Sequence, residues 1–343
     1  MGQAKLLMKR ESLYFTADRK IDIRSEDVPP LQKANIQLSS LASLISAGSE
    51  MLVYRNELSS QLPMNEVLPG LEGHFNYPLK FGYSIVGSAD PHIGAKVQGN
   101  LRYFALNPHE NIFQINPKKY LQVPVDCPTN DAIFLANMET AINIIMDAKL
   151  GIGENVVVIG LGVVGLLTTA LLNKHPIGKL AVMDPLAIRR EAASEIGQLD
   201  VYDPKISKQV KAAKNSFGKS GADLVIELSG QPESLNLAMD LVGTQGRIIV
   251  GSWYGQRSAE INLGSHFHQG RVQIISSHVG QINPEFRGRW SRKRRFALAW
   301  QWLKQIQPSQ WITHSFSLDE AAKAYQLIDA HPEQCIAIAL EYD

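Results

Sequence analysis

The sequence predicts an α/β protein with a doubly wound parallel sheet and a second, β-rich domain. Three observations carry that prediction. The chain has 343 residues, more than one ordinary core holds and comfortable for two domains. The hydrophobic pattern changes character near Asp131. From Asn155 onward, apolar β-branched runs alternate with helical stretches, the signature of strands joined by crossover helices.

The elements follow in order. Ala34–Ile45 and Asn111–Val123 are short, partly alternating and interrupted by Pro and Gly, as strands of a small antiparallel barrel are. Across Asp131–Lys149 the apolar residues Ile133, Phe134, Ala141, Ile144 and Ile145 recur at helical spacing, with Thr129 or Asn130 placed to cap the helix. Asn155–Ile159 reads as a strand buried on both faces. A glycine turn and an apolar helix, Val163–Asn173, follow it. Lys179–Met183, Ala222–Leu228, Arg247–Val250 and Val272–Ser276 are the further strands. Phe296–Asp343 supplies two helices and a closing apolar segment, Ile336–Leu340.

Composition excludes several classes. Apolar residues make up 45% and charged residues 20%, which rules out a disordered or fibrous chain. A net charge of +1 gives no global field toward nucleic acid or an anionic membrane, so neither is an expected partner. The opening MGQAKLLMKRESLYF has too short an apolar run for a signal peptide or a membrane span, and Gly2 lacks the downstream Ser/Thr of a myristoylation motif. Cys127 and Cys335 are the only cysteines, too few for a disulfide framework or a thiolate zinc site. Reduced thiols and a cytoplasmic location are the expectation.

Gly160-Leu161-Gly162-Val163-Val164-Gly165 is a G-x-G-x-x-G lying directly between a strand and a helix, the context that makes this pattern a Rossmann dinucleotide fingerprint. Gly160 permits the tight turn, Gly162 lets a pyrophosphate approach the backbone, and Gly165 lets helix and strand pack closely. The N–H groups opening the helix, at Val163 and Val164, face the phosphates. Asp184 ends the second strand roughly twenty residues further on, where a carboxylate binds ribose hydroxyls and repels a 2′-phosphate. NAD is therefore favoured over NADP, although Arg189 and Arg190 lie close enough in sequence to hold a phosphate. The competing readings are a glycine-rich turn without ligand and a strand-end turn role for Asp184.

Taken together, these pieces resemble the medium-chain dehydrogenase/reductase (alcohol dehydrogenase-like) superfamily over essentially the full length. The resemblance extends to Gly221–Glu227, Gly246–Gly251, Trp311–Phe316 and the helix with Ala321, Ala322 and Tyr325. It implies a GroES-like catalytic domain of residues 1–142 with 279–343, a Rossmann domain of 143–278, and a homodimer. Ser46–Glu50, Tyr77–Ser84, Asn137–Ala141, Ser276–Gly280, Arg289-Trp290 and Arg294-Arg295 are similar to a zinc-lacking branch that includes bacteriochlorophyllide hydroxyethyl dehydrogenase-like proteins. Where zinc-dependent members carry Cys, His-Glu and Cys, this chain has Ala47, Tyr83-Ser84 and Ala136. None of these binds zinc well, so no metal is expected.

Without zinc, hydroxyl donors must stabilise the oxygen of a ketone being reduced. Ser49 matches the residue that relays the alcohol proton, and Tyr83 replaces a zinc ligand. The resemblance makes both donors to the substrate oxygen, tuned by Glu50. The bland reading of Tyr83 is volume-filling. Thr140, Val250, Ser252 and Ser276–His278, Ser277 among them, match residues lining the nicotinamide; helix packing is the alternative for Thr140. His266 and His268 lack a third ligand and read as loop or surface residues. Six cations between Arg287 and Arg295, around Trp290, either grip an anionic small-molecule substrate or form a solvated helix start. The function this implies is zinc-independent interconversion of a secondary alcohol and a ketone with NAD(H). The alternatives are a C=C (enoyl or quinone) reductase and a non-catalytic NAD(H)-binding protein.

Overall fold

The computed structural model describes residues 8–64, 71–89, 101–117 and 121–342. It divides into two compact units, Met1–Ala136 with Gln307–His331 and Ala337–Asp343, and Asn137–Ile306 with Pro332–Ile336.

The first unit is β-rich. Strands β1 (Lys9–Ala17) and β2 (Lys20–Asp27) form an antiparallel hairpin. A larger sheet joins β3 (Ile36–Leu44), β4 (Ile85–Ala89), β5 (Arg102–Ala105), β6 (Ile112–Ile115), β7 (Leu121–Gln122), β14 (Ile312–Ser317) and β15 (Ala337–Glu341). Its order is β14-β15-β3-β4-β5-β7, with β6 also on β3. Alternation drives it: Ile36, Leu38, Ile85, Phe113 and Ile115 turn one face inward into a shared core. Helix α1 (Glu50–Tyr54) follows β3, and α8 (Ala321–Ala330) follows β14.

Beside the hairpin, Glu26 accepts from Lys80 Nζ at 2.7 Å, Ser12 Oγ at 2.8 Å, Tyr14 OH at 2.8 Å and Arg10 Nε at 2.9 Å. Burial pushes its carboxyl up, but the hydrogen bonds from Lys80, Ser12 and Tyr14 outweigh burial and hold it at about 2, below the ordinary 4.5. A depressed carboxyl stabilises the fold above its unfolded value and loses that contribution as pH falls through its folded value. Urea midpoints should therefore drop between about 4.5 and about 2, and Glu26→Gln should flatten that slope. Identical acid slopes in both proteins would remove Glu26 from the account.

The second unit is a six-stranded parallel sheet. In chain order its strands are β8 (Val156–Ile159), β9 (Leu180–Met183), β10 (Asp200–Tyr202), β11 (Ala222–Glu227), β12 (Val242–Val250) and β13 (Gln273–Ser276). In space the order is β10-β9-β8-β11-β12-β13, that of dinucleotide-binding folds. Every residue of β8 and β9 is buried, which explains their unbroken apolar sequence. The longer helices that accompany these strands are α2 (Leu135–Ala148), α3 (Val163–Leu172), α4 (Ala187–Ser194), α5 (Ser207–Ser216), α6 (Ser234–Leu241) and α7 (Arg292–Ile306).

Two expectations need correction. The helix expected over Asp131–Lys149 is a short turn, Thr129–Ala132, and then α2. Pro128 takes the cap position of that turn, while the Thr129 hydroxyl accepts from Arg102 at 2.8 Å and caps nothing. Residues 279–306, expected with the catalytic domain, fall in the second unit. The reason is Arg295, buried on α7 and bonded to Glu139 on α2 at 2.7 Å. His266 and His268 lie in a short helix, His266–Gln269, with His266 Nε2 2.8 Å from the Val242 carbonyl. No helix among the described residues is long and apolar enough to cross a membrane.

Candidate active site

The glycine turn stands at the carboxyl end of β8, where the sheet order reverses. Gly160 has φ +95°, and a Cβ there would meet Leu228 C and Ser229 N at 2.5 Å. A Cβ on Gly165 would lie 2.0 Å from the Gly160 carbonyl oxygen, so α3 and β8 touch backbone to backbone. Gly162 is different. A Cβ there meets only Arg189 Nη1, at 3.9 Å, leaving room for a ligand against the backbone. The first α3 bond runs from Leu166 N–H to the Gly162 carbonyl at 2.9 Å. Val163 and Val164 thus present N–H groups with no partner inside the helix.

Asp184, at the end of β9 and 2% exposed, accepts from Leu161 N–H and Leu186 N–H at 2.8 Å each. Its carboxylate therefore ties the glycine turn to the next loop. Arg189 Nη1 stands 3.8 Å from Asp184 Oδ2, and its buried Nε has no hydrogen-bond partner. An orphaned guanidinium N–H beside an open glycine is what a bound phosphate would satisfy. The residues present fit a dinucleotide.

On the neighbouring strand, Glu227 is fully buried and accepts from Ser229 and from Tyr254 OH, the latter at 2.6 Å. Burial, then the charge of Glu227, pushes the Tyr254 phenol up. Ser252 Oγ accepts from Gly230 N–H at 2.9 Å, tying the loops after β11 and β12. Val250 closes β12, and its carbonyl accepts from Ser277 N–H at 2.8 Å. The Ser277 hydroxyl donates to Asp147 at 2.7 Å and accepts from Asn143 at 3.1 Å. Ser252 and Ser277 thus hold loop backbone in place, and their hydroxyls are already engaged. Thr140 lies on α2 and is partly exposed.

In the first unit the structure brings Tyr83 and Ser49 together, with hydroxyl oxygens 3.2 Å apart. Ser46, which sequence reasoning left out, hydrogen-bonds the Tyr83 phenol on its other side. Burial raises the Tyr83 phenol, hydrogen bonds from Ser46 and Ser49 oppose that, and the charge of Glu50 adds to it. The net direction is upward, so Tyr83 keeps its proton at neutral pH and remains a donor.

Glu50 does not touch either hydroxyl. It is fully buried and accepts from Ser46 N–H at 2.9 Å, His109 Nε2 at 3.0 Å and Tyr325 OH. Behind it, His109 Nδ1 meets Ser43 Oγ at 2.7 Å, and Ser43 Oγ meets Tyr342 OH at 2.8 Å. Glu50 is therefore a positioning residue that fixes the Ser46–Ser49 turn. His109 and Tyr325 share that role. Sequence reading gave neither a role: Tyr325 entered only as part of a helix that carries the family resemblance, and His109 stood beside Glu110 with no spaced partner.

A zinc-binding dehydrogenase family model matches residues 163–295. The D-guloside 3-dehydrogenase of Escherichia coli K12 is 27% identical over 66% of this chain and 66% of its own length, so the matched stretch is just under two thirds of that relative. Two solved structures share the fold over nearly the whole chain. The 2R,3R-butanediol dehydrogenase of Bacillus subtilis superposes with TM-score 0.77 at 14% identity, covering 97% of this chain and all of that one (100%). A short chain alcohol dehydrogenase (rspB) from Escherichia coli CFT073, complexed with NADH, gives 0.75 at 17% identity, covering 97% and 99%. Residues 163–295 are thus similar to zinc-binding dehydrogenases, and nearly the whole chain shares the fold of these two dehydrogenases.

Proposed function

We propose that the protein is a zinc-independent, NAD(H)-dependent oxidoreductase that interconverts a secondary alcohol and a ketone. The observation that carries this reading is the hydroxyl cluster of Tyr83, Ser46 and Ser49, built where the sequence resemblance puts zinc ligands. A nicotinamide cofactor supplies or accepts the hydride when bound. The chain supplies the rest: the Gly162 turn, Val163 and Val164 N–H groups and Arg189 hold phosphates, and Asp184 favours NAD by repelling a 2′-phosphate. Thr140, Val250, Ser252 and Ser277 shape the nicotinamide end through packing and loop backbone. Tyr83 donates a hydrogen bond to the substrate oxygen and hands over the proton, with Ser49 in the same cluster. The similarity to a D-guloside 3-dehydrogenase agrees with alcohol chemistry.

The donor set does not fit zinc. Ala47 and Ala136 have no donor atom, the Ser84 hydroxyl is spent on the Ile133 carbonyl, and Glu50 and His109 hydrogen-bond each other. This agrees with the zinc-lacking branch of the superfamily. The exposed edge strand β13, with Ile274 39% exposed, agrees with a homodimer paired there. Two buried free thiols agree with the cytoplasm.

The test is NADH oxidation by chelator-dialysed protein against ketones and enones. Ketone turnover with NADPH much poorer is the expected result, and Tyr83→Phe should lower kcat/KM by about 10²–10³ with NADH affinity unchanged. Turnover on enones alone would move the assignment to a C=C reductase. Full activity in Tyr83→Phe would remove the phenol from the mechanism.

A further inference from the structure

The start of α7 and the loop before it expose Arg287, Arg289, Arg292, Lys293 and Arg294. This arrangement is unfavourable in itself. The first turn of α7 carries no acidic residue, so its cations meet the positive end of the helix dipole and repel one another. Among the described residues only Arg292 of these five reaches a carboxylate. That carboxylate is Glu139, at 3.4 Å, which the buried Arg295 already neutralises.

The side chains are nonetheless held in place. The Arg294 guanidinium lies 4.1 Å from the Trp290 ring centroid and donates to the Arg289 carbonyl at 2.6 Å. Arg289 stands 5.2 Å from the Phe286 centroid, and Arg287 Nε donates to the Ile282 carbonyl at 3.0 Å. Guanidiniums fixed by rings and carbonyls still have N–H groups left over for an anion.

The cluster also has a defined place. Its loop leaves the carboxyl end of β13, and Arg295 Nη2 fastens the helix to the Val279 carbonyl just beyond that strand. Ligands of doubly wound sheets bind at the carboxyl ends of the strands. The five exposed cations fall within residues 287–294 of a chain whose net charge is +1. A nucleic acid or membrane surface calls for a broader basic face; a small polyanion does not.

We infer that this cluster binds a carboxylate or phosphate group of the substrate, which makes the substrate an anionic alcohol or ketone. The inference rests on the dehydrogenase reading for the word substrate, but the anion site can be measured without turnover. The probe is inorganic pyrophosphate, titrated calorimetrically into protein saturated with NADH so that the glycine turn is occupied. Binding should be at least roughly tenfold weaker in Arg289→Gln/Arg294→Gln. NADH affinity should hold, and the melting temperature should not fall, because cations are being removed from a helix start. If that variant fails to fold, Arg287→Gln/Lys293→Gln repeats the test. Equal binding in wild type and variant overturns the inference. So does tighter, variant-sensitive binding of phosphatidylserine vesicles or duplex DNA, which would make the patch a macromolecular surface.

A second arm compares a keto acid with its methyl ester. Wild type should prefer the acid in kcat/KM and the variant should lose that preference; an unchanged preference overturns the assignment to substrate. Absence of turnover on every ketone overturns the dehydrogenase reading instead, and the pyrophosphate titration then decides the anion site alone.

Discussion

Gly165→Ala is expected to cost about 1–3 kcal/mol of stability and to weaken NADH binding by more than about a hundredfold. The added Cβ would sit 2.0 Å from the Gly160 carbonyl oxygen, and neither partner can yield. Gly160 is pinned from the other side, because it stands against Leu228 and Ser229 backbone at φ +95°. Helix α3 buries Leu166, Leu167, Leu171 and Leu172 almost completely, so sliding it away from β8 opens voids in a close-packed core. The helix N-terminus that faces the phosphates moves with it. Gly162→Ala separates the two effects. Its Cβ meets nothing closer than 3.9 Å, and the backbone is at φ −65°, so the fold should keep its full melting temperature. The methyl group fills the space a pyrophosphate would take, and NADH affinity should fall at least roughly tenfold. Thermal unfolding and NADH fluorescence titration of the two variants check both statements. Wild-type NADH affinity in both would mean that the dinucleotide binds elsewhere.

The nucleotide half was legible because its signals are local. Buried parallel strands announce themselves as unbroken β-branched runs, and the fingerprint glycines are adjacent in sequence to the strand and helix they join. What stayed hidden depends on contacts far apart in the chain. Glu50 meets His109 across 59 residues and Tyr325 across 275, and no spacing rule connects them. Ser46 lay in view, three places before Ser49 in the chain, but only the fold shows its hydroxyl against the Tyr83 phenol. Arg295 is the instructive case. It reads as one more cation in a basic run, yet the buried positions of α7 are Arg295, Phe296, Ala299 and Leu303. That is a helical stripe with a guanidinium in it, so periodicity marked the position as internal while the residue type marked it as external. Its burial also explains why 279–306 joined the second unit, a boundary the resemblance had drawn elsewhere.

Arg295→Leu should therefore be the most damaging surface-looking substitution in the chain, with a loss of about 3–5 kcal/mol at neutral pH. Arg295 and Glu139 side chains are 1% and 3% exposed. The guanidinium donates to Glu139 from Nε at 3.0 Å and from Nη2 at 2.7 Å, and it also reaches Asn143 and the Val279 carbonyl. Leucine fills part of the volume but strands the carboxylate, with only Arg292 at 3.4 Å for company. Burial already raises the Glu139 carboxyl above its ordinary 4.5, with Arg295 and Arg292 opposing that rise. Removing Arg295 raises it further. A carboxyl raised in the folded state favours folding while protonated, and that contribution disappears as pH climbs through the folded value. The deficit of the variant relative to wild type should accordingly shrink as pH is lowered toward about 4.5. Adding Glu139→Gln to Arg295→Leu should restore part of the loss at neutral pH, since the neutral amide needs no countercharge. Denaturant unfolding of the four proteins of this cycle, at neutral and acid pH, gives the answer. A deficit that ignores both pH and Glu139→Gln would mean that Arg295 acts through packing of its stem and not through charge.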